Sequence, residues 1–252
     1  MKPMGTGTQK VQQEIEGIFP DIGTIRMDAD TVSAKNSHED ILNRFQRENV
    51  PVLIGTQMVV KGLNLPDVTL VGVLDADLSL YAENFRAAET TFNMLTQVVG
   101  RAGRGDTAVQ AIIQTMVPEH KVITLAAKQD YDSFYETEIR LRRIQHFPPF
   151  GDLAEVTFTG LDEAQLLRGA VKLKESLVSL LKEEQYQEET CTVLGPAPCP
   201  VPKINYHFRY RLTLRCRMTR TLRQLLAHLL RQFSQDRDNR GVTAFIDVNG
   251  YD

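Results

Sequence analysis

Pro51-Val-Leu-Ile-Gly55 and Val68-Thr-Leu-Val-Gly-Val-Leu74 are short, continuous apolar runs that do not alternate with polar residues. They are too short for buried helices, and both of their faces are apolar. That is the pattern of strands covered on both sides, the normal condition of a parallel sheet. Working outward, Val11, Ile15, Ile18 and Phe19 repeat at helical spacing, and a short strand is predicted at Thr24–Met27. Ser37-His-Glu-Asp40 has the form of a capping box, with Asp at its last position, and opens a helix whose Ile41, Leu42 and Phe45 face inward. Downstream come a helix over Phe85–Val99, a strand over Val109–Thr115 and a helix after Pro118. Helices alternating with buried strands predict an α/β fold with a parallel sheet and flanking helices.

A charged helix over Tyr131–Gln145 runs into His146-Phe-Pro-Pro-Phe-Gly151, where the double proline stops it and marks a domain boundary. The rhythm then changes. Ala154, Val156 and Phe158 alternate as a strand, and a long helix carries Leu166, Leu167, Ala170, Val171, Leu177, Val178 and Leu181. Gly195–Pro202 is a proline-rich stretch expected to be a stiff loop. From Ile204 to Met218 the even positions are apolar and the odd ones polar or cationic, which predicts one continuous strand with a buried and a wet face. A leucine-striped helix through Phe233 and a strand through Val242, Ala244, Ile246 and Val248 close the chain. With Thr192–Leu194 as a second strand, this is the split βαβ order of an α+β, ferredoxin-like domain. The expected division is a first lobe over 1–128, a helical linker over 129–150 and a second domain over 151–252.

The chain of 252 residues carries a net charge of −3. Within 203–240, however, ten Lys/Arg stand against Asp236 and Asp238, a local charge of +8 and an electrostatic footprint for phosphate. No apolar run is long enough to span a bilayer, and the N-terminus has no signal-peptide core, so a cytoplasmic protein without membrane contact is expected. Cys191, Cys199 and Cys216 form no CxxC pair, which argues against a disulfide framework or a zinc site built from this chain.

Chemistry concentrates in Gln97-Val-Val-Gly-Arg-Ala-Gly-Arg104. On a helical turn, Arg101 and Arg104 share a side, and Gly100 and Gly103 remove bulk beside them. Guanidinium groups present a planar fork of donors suited to a phosphate chain whose charge grows during transfer. The competing reading is a solvated basic turn at a helix end. Upstream, Ile54-Gly-Thr-Gln-Met-Val-Val-Lys-Gly62 places a hydroxyl and an amide at the carboxyl end of a buried strand, where α/β sheets bind ligands. Thr56 is a candidate phosphate contact or a helix cap. Gly62 allows close approach, and Lys61 is a candidate contact or a surface charge. The face Arg209, Arg211, Arg215 and Arg217 is a candidate DNA contact or a guard against edge-to-edge aggregation.

These blocks resemble the second RecA-like lobe of superfamily-2 helicases. More closely, they resemble the bacterial primosomal replication-restart helicases, the PriA or primosomal protein N′ family. The resemblance extends through Gly5-Thr-Gly-Thr-Gln-Lys-Val11, Met27-Asp-Ala-Asp-Thr31, Leu70–Asp77, Phe85-Arg-Ala-Ala-Glu89, Pro118-Glu-His120, Phe147-Pro-Pro-Phe150 and Val193-Leu-Gly-Pro-Ala-Pro198. It implies that Gln97, Arg101 and Arg104 belong to helicase motif VI, the arginines reaching an ATP γ-phosphate held by another lobe, with Gly100 and Gly62 lining the nucleotide side. It implies that Thr56, Gln57, Lys61 and Gly62 belong to motif V, which couples DNA contact to nucleotide state. Asp75 and Asp77 follow that motif without an implied role. The second half then resembles a DNA-binding carboxyl-terminal domain similar to a small-subunit ribosomal protein.

The resemblance further implies a 3′→5′ ATP-dependent DNA helicase of replication restart. Its implied partners are forked or single-stranded DNA, primosome proteins and single-stranded-DNA-binding protein. Neither a GxxxxGKS/T phosphate loop nor a DExH box occurs here. The family keeps these, with most of the ATP and Mg²⁺ contacts, in an upstream lobe, and keeps zinc in an upstream cysteine module. The chain begins where that module would end, as a carboxyl-terminal fragment would, and is expected to be inactive alone. The tail Asp247-Val-Asn-Gly250 departs from the family's Asp-Val-Asp-Pro type of ending. The alternative is a non-catalytic nucleic-acid-binding scaffold derived from a helicase lobe.

Overall fold

A computed structural model of the chain describes residues 7–28, 38–56, 68–101 and 110–250, except for the side chain of Arg101. The chain packs as two units, Met1–Glu136 and Thr137–Asp252.

The first unit contains α1 (Thr8–Ile18), β1 (Thr24–Met27), α2 (His38–Arg47), β2 (Val52–Gly55) and β3 (Leu70–Val73), followed by α3 (Asp77–Leu80), α4 (Ala87–Arg101), β4 (Gln110–Ile113), α5 (Lys121–Ala127) and the first turns of α6 (Tyr131–Gln145). The expected α/β character holds. β1 pairs parallel to β2 with Met27 opposite Gly55, and β3 pairs parallel to β4 with Leu70 opposite Gln110.

The expectation of strands covered on both faces does not hold for the described residues. β3 and β4 alternate between half-buried and exposed, and Leu70 is 56% exposed. Each strand has one described neighbour, so each of the four has one edge without a described partner. The stripe on α1 is likewise shallow, and none of its residues is buried.

Two apolar clusters hold this unit. Ile25, Met27 and Ile41 pack with Leu42, Phe45 and Leu53. Phe92 and Leu95 of α4 pack with Val122, Ile123 and Ala126 of α5 and Phe134 of α6, the rings of Phe92 and Phe134 stacking at 4.0 Å between centroids. α5 begins at His120, whose Nδ1 accepts from the Val122 N–H at 3.3 Å.

The second unit runs β5 (Asp152–Gly160), α7 (Glu163–Leu180), β6 (Cys191–Ile204), β7 (His207–Cys216), α8 (Arg220–Gln235) and β8 (Val242–Val248). The sheet order is β6-β7-β5-β8, with every neighbouring pair antiparallel. A βαββαβ chain in that order is the ferredoxin-like arrangement read from the sequence. Side-chain oxygens start both helices. Asp162 accepts from the Gln165 N–H at 2.9 Å, and Thr219 accepts from the Leu222 N–H at 3.0 Å.

Alternate residues Ala154, Val156 and Phe158 of β5 and Leu212, Leu214 and Cys216 of β7 face α7 and α8, which answer with Leu166, Leu177, Leu222 and Phe233. α7 approaches so closely at Gly169 that a Cβ there would lie 2.6 Å from Asn239 Oδ1 and 3.0 Å from the Phe233 ring. Any larger residue there would force the Asn239 side chain to shift and crowd the Phe233 ring.

Two expectations need correction here. The proline-rich stretch is not a loop. It lies within β6, an edge strand whose pairing shifts register between Leu194 and Ala197 and again between Pro198 and Lys203. Prolines are tolerated at such positions because the missing N–H falls at an edge or in a bulge. Nor is Ile204–Met218 one strand. Asn205 and Tyr206, at φ +47° and +67°, form a two-residue hairpin turn between Ile204 and the opposing His207. Opposed residues share a face, so Ile204 sides with His207 and the arginines rather than with the core, and it is 45% exposed. Holding a non-glycine residue in the left-handed region costs about 1–3 kcal/mol.

Candidate nucleic-acid and nucleotide interface

At the carboxyl end of the β1–β2 pair, parallel strands deliver two side chains to one edge. Met27 faces Gly55, so Asp28 and Thr56, the next residues, leave the sheet together. Thr56 is exposed, while Asp28 is buried and answered by the Thr8 hydroxyl and by Arg26 Nε at 2.9 Å. Open α/β sheets present ligand groups at this edge. Thr8, in the first turn of α1, and Asp28 had no assigned role in the sequence, and their contact joins two of the quoted stretches. Gln57, Lys61 and Gly62 lie outside the described residues.

α4 carries the second group. Gln97 is exposed, and α4 ends at Arg101. Arg104 and Gly103 lie outside the described residues. Among the described residues, a Cβ at Gly100 would meet only the Gln129 side-chain amide, at 3.9 Å. Crowding by the described residues therefore does not require a glycine at that position.

Asp75 and Asp77 acquire structural roles. Asp77 Oδ1 accepts from Thr115 Oγ1 and Oδ2 from the Met116 N–H, both at 2.8 Å, tying the start of α3 to the segment after β4. Asp75 has φ +55°, and its N–H donates to Gln114 Oε1 at 3.3 Å.

The basic strand is less uniformly cationic than its sequence. Arg209, Arg211 and Arg215 are half-buried, and Arg217, just past β7, is exposed. On the face opposite the helices, Thr213 stands beside Glu155 and Asp247, so a carboxylate row crosses between Arg211 and Arg215. Arg211 Nη1 pairs with Glu155 Oε1 at 2.9 Å. The guanidinium of Arg215 lies over the Phe147 ring, 4.9 Å from its centroid. Among the described residues, no carboxylate pairs with Arg209 or Arg217. The alternation put Arg209, Arg211 and Arg215 on the face away from the helices, whereas Arg217 lies past the strand. The neighbours of Arg211 and Arg215 come from β5 and from the segment before it, which no local pattern reveals.

Cys191 and Cys216 stand directly opposite across β6 and β7 as free thiols. Contact with the Cys191 thiol, together with burial, pushes Cys216 up and keeps it protonated. Among the described residues, no group of three or more His, Cys, Asp or Glu is placed to hold a metal ion. No described helix is long and apolar enough to cross a membrane.

Residues 8–106 match the helicase conserved C-terminal domain, and residues 143–251 match the primosomal protein N C-terminal domain. The replication restart protein PriA of Bacillus subtilis is 39% identical over 98% of this chain and 30% of its own length. That of Chlamydia pneumoniae is 38% identical over 90% of the chain and 29% of its own length. That of Synechocystis is 40% identical over 85% of the chain and 25% of its own length. The chain thus spans less than a third of these curated relatives. With a helicase carboxyl-terminal lobe and the PriA-specific domain following in one polypeptide, the chain belongs to the PriA family of replication restart helicases and corresponds to their carboxyl-terminal portion.

Proposed function

We propose that this chain supplies half of a composite ATP site and the branched-DNA-binding end of a 3′→5′ helicase acting in replication restart. The observation that carries the reading is Gln97-Val-Val-Gly-Arg-Ala-Gly-Arg104 within the helicase-domain match, with Gln97 exposed on α4. In this reading Arg101 and Arg104 reach the γ-phosphate of ATP bound on another lobe and offset the charge that builds during transfer. Arginines acting in this way contribute about 10³–10⁵ in rate. The space that the described residues leave around Gly100 supports the approach of that lobe. Magnesium belongs with the phosphate loop of the opposing lobe. Thr56, Gln57, Lys61 and Gly62 sense the DNA strand, and the functional parts are a lobe over 1–128, a helical linker over 129–150 and a DNA-binding domain over 151–252. The +8 segment of that domain supports contact with forked or single-stranded DNA. Primosome proteins and single-stranded-DNA-binding protein are the implied protein partners, in the cytoplasm.

The test is complementation. The 252-residue chain is expected to hydrolyse no ATP alone and to restore DNA-stimulated ATPase when mixed with a separately expressed first lobe. Arg104→Ala is expected to abolish the restored activity. Turnover by the chain alone, or indifference to Arg104→Ala, refutes the proposal, and indifference favours a non-catalytic scaffold.

A further inference from the structure

The turn between β6 and β7 holds Asn205 and Tyr206 at φ +47° and +67°. This geometry favours asparagine first and glycine second. Asn205 fits, but Tyr206 does not, because a bulky side chain in the left-handed region is an outlier. Its ring makes no recompense inside the domain, being 81% exposed. A residue kept in a costly backbone conformation with its side chain turned outward indicates a contact outside the chain.

The surroundings identify the chemistry of that contact. Between Glu189 and Asp236 the chain carries eight Lys/Arg and no carboxylate, so nothing on the hairpin repels phosphate. Ile204, exposed beside the turn, shares a face with His207 and with the row leading to Arg209. Lys203 keeps its ammonium near the turn by resting 4.1 Å from the centroid of Phe208. An exposed flat ring with an aliphatic neighbour and flanking cations matches an unpaired nucleotide: the base stacks and the phosphates meet the cations. A duplex interior offers no free base face to such a tip.

We propose that Tyr206 stacks on an unpaired nucleobase, so that the hairpin engages the single-stranded arm beside a branch. The proposal rests on the DNA-binding reading above and adds a ligand class and a residue to it. The chain contains no tryptophan, so Tyr206→Trp introduces a single reporter. Its emission is expected to be quenched saturably by oligodeoxythymidine and by forked DNA, but not by a blunt duplex that binds by anisotropy. Tyr206→Gly suits the turn and preserves the fold. It is expected to weaken oligodeoxythymidine binding about tenfold while leaving the salt slope unchanged, and Tyr206→Phe is expected to bind normally. An unquenched reporter on saturating DNA, with normal affinity in Tyr206→Gly, overturns this inference while DNA binding stands, and leaves the tip to a protein contact. If the unsubstituted chain binds no DNA at all, both this inference and the DNA-binding reading fall.

Discussion

Arg211 Nη1 sits 2.9 Å from Glu155 Oε1 across β7 and β5, in a pair whose side chains are only 18% and 35% exposed. The two positions are diagonal neighbours, Arg211 opposing Thr157 and Glu155 opposing Thr213. One of the four strand arginines therefore has its charge answered inside the domain. Replacing the carboxylate should release it. Glu155→Gln is expected to raise forked-DNA affinity several-fold at low salt and to steepen the log–log salt dependence by up to about 0.9, the value of one further phosphate contact. Anisotropy titrations at several salt concentrations measure both, and an unchanged slope means that Arg211 does not face DNA.

The other three arginines should separate into two behaviours. Arg209 and Arg217 pair with no described carboxylate, so Arg209→Ala and Arg217→Ala should each flatten the salt slope by about 0.9 without altering the melting temperature. Arg215 covers Phe147. Arg215→Ala should therefore destabilise the second unit by about 0.5–2 kcal/mol, with Arg215→Lys recovering only part because an ammonium does not stack flat on the ring. Thermal unfolding beside DNA titration distinguishes the two classes. Equal slopes and equal stabilities across all three variants would contradict the assignment.

The contrast between Arg211 and Tyr206 explains what the sequence could disclose. Alternation along 207–218 reports which side of the sheet a residue takes, because side chains on a strand alternate with period two. It therefore located Leu212 and Leu214 in the core and the arginines on the other face. Alternation carries no information about what stands on the next strand, so Glu155 and Asp247 went unseen. It also runs undisturbed through a two-residue turn, which hid the hairpin and made Tyr206 look like core. Asn205 was the available signal, as asparagine tolerates the left-handed region. The positions of α7 and α8 were legible because both carry long apolar stripes. The apolar runs of β2 and β3 overstated burial, since apolar composition records what a strand tolerates, whereas exposure depends on neighbours supplied elsewhere in the protein.

Asp77 illustrates a residue that resembles a site component and acts as a brace. Its two oxygens hold Thr115 and the Met116 backbone at 2.8 Å each. Hydrogen bonds to a charged acceptor contribute about 1.5–3 kcal/mol, so Asp77→Ala should lower the stability of the first unit by roughly that amount and Asp77→Asn by less. Urea unfolding followed at more than one wavelength is the appropriate measurement, because two units need not unfold in one transition. Full stability of Asp77→Ala with loss of complemented ATPase would instead place Asp77 in the chemistry.

Asp152 ties the sheet's end together, and its ionisation makes that tie pH-dependent. Its Oδ2 accepts from the Met218 N–H and its Oδ1 from Asn249 Nδ2, both at 2.7 Å. Asn249, at φ +54°, in turn grips Leu153, accepting from its N–H at 2.9 Å and donating to its carbonyl at 2.7 Å. The Met218 N–H first, then the Asn249 amide, hold the Asp152 carboxyl below its ordinary range against the opposing effect of burial. A carboxyl depressed in the folded state stabilises the fold above its unfolded pKa of about 3.9 and loses that contribution as pH falls through the folded value. The second unit should therefore lose stability below about pH 4 more steeply than Asp152→Asn does, the variant being less stable at neutral pH and converging on the unsubstituted protein in acid. Asn249→Ala should reduce the same pH dependence by removing one of the two donors. Melting curves between about pH 3 and pH 7 provide the comparison, and parallel curves for all three proteins would show that this carboxylate does not govern acid stability.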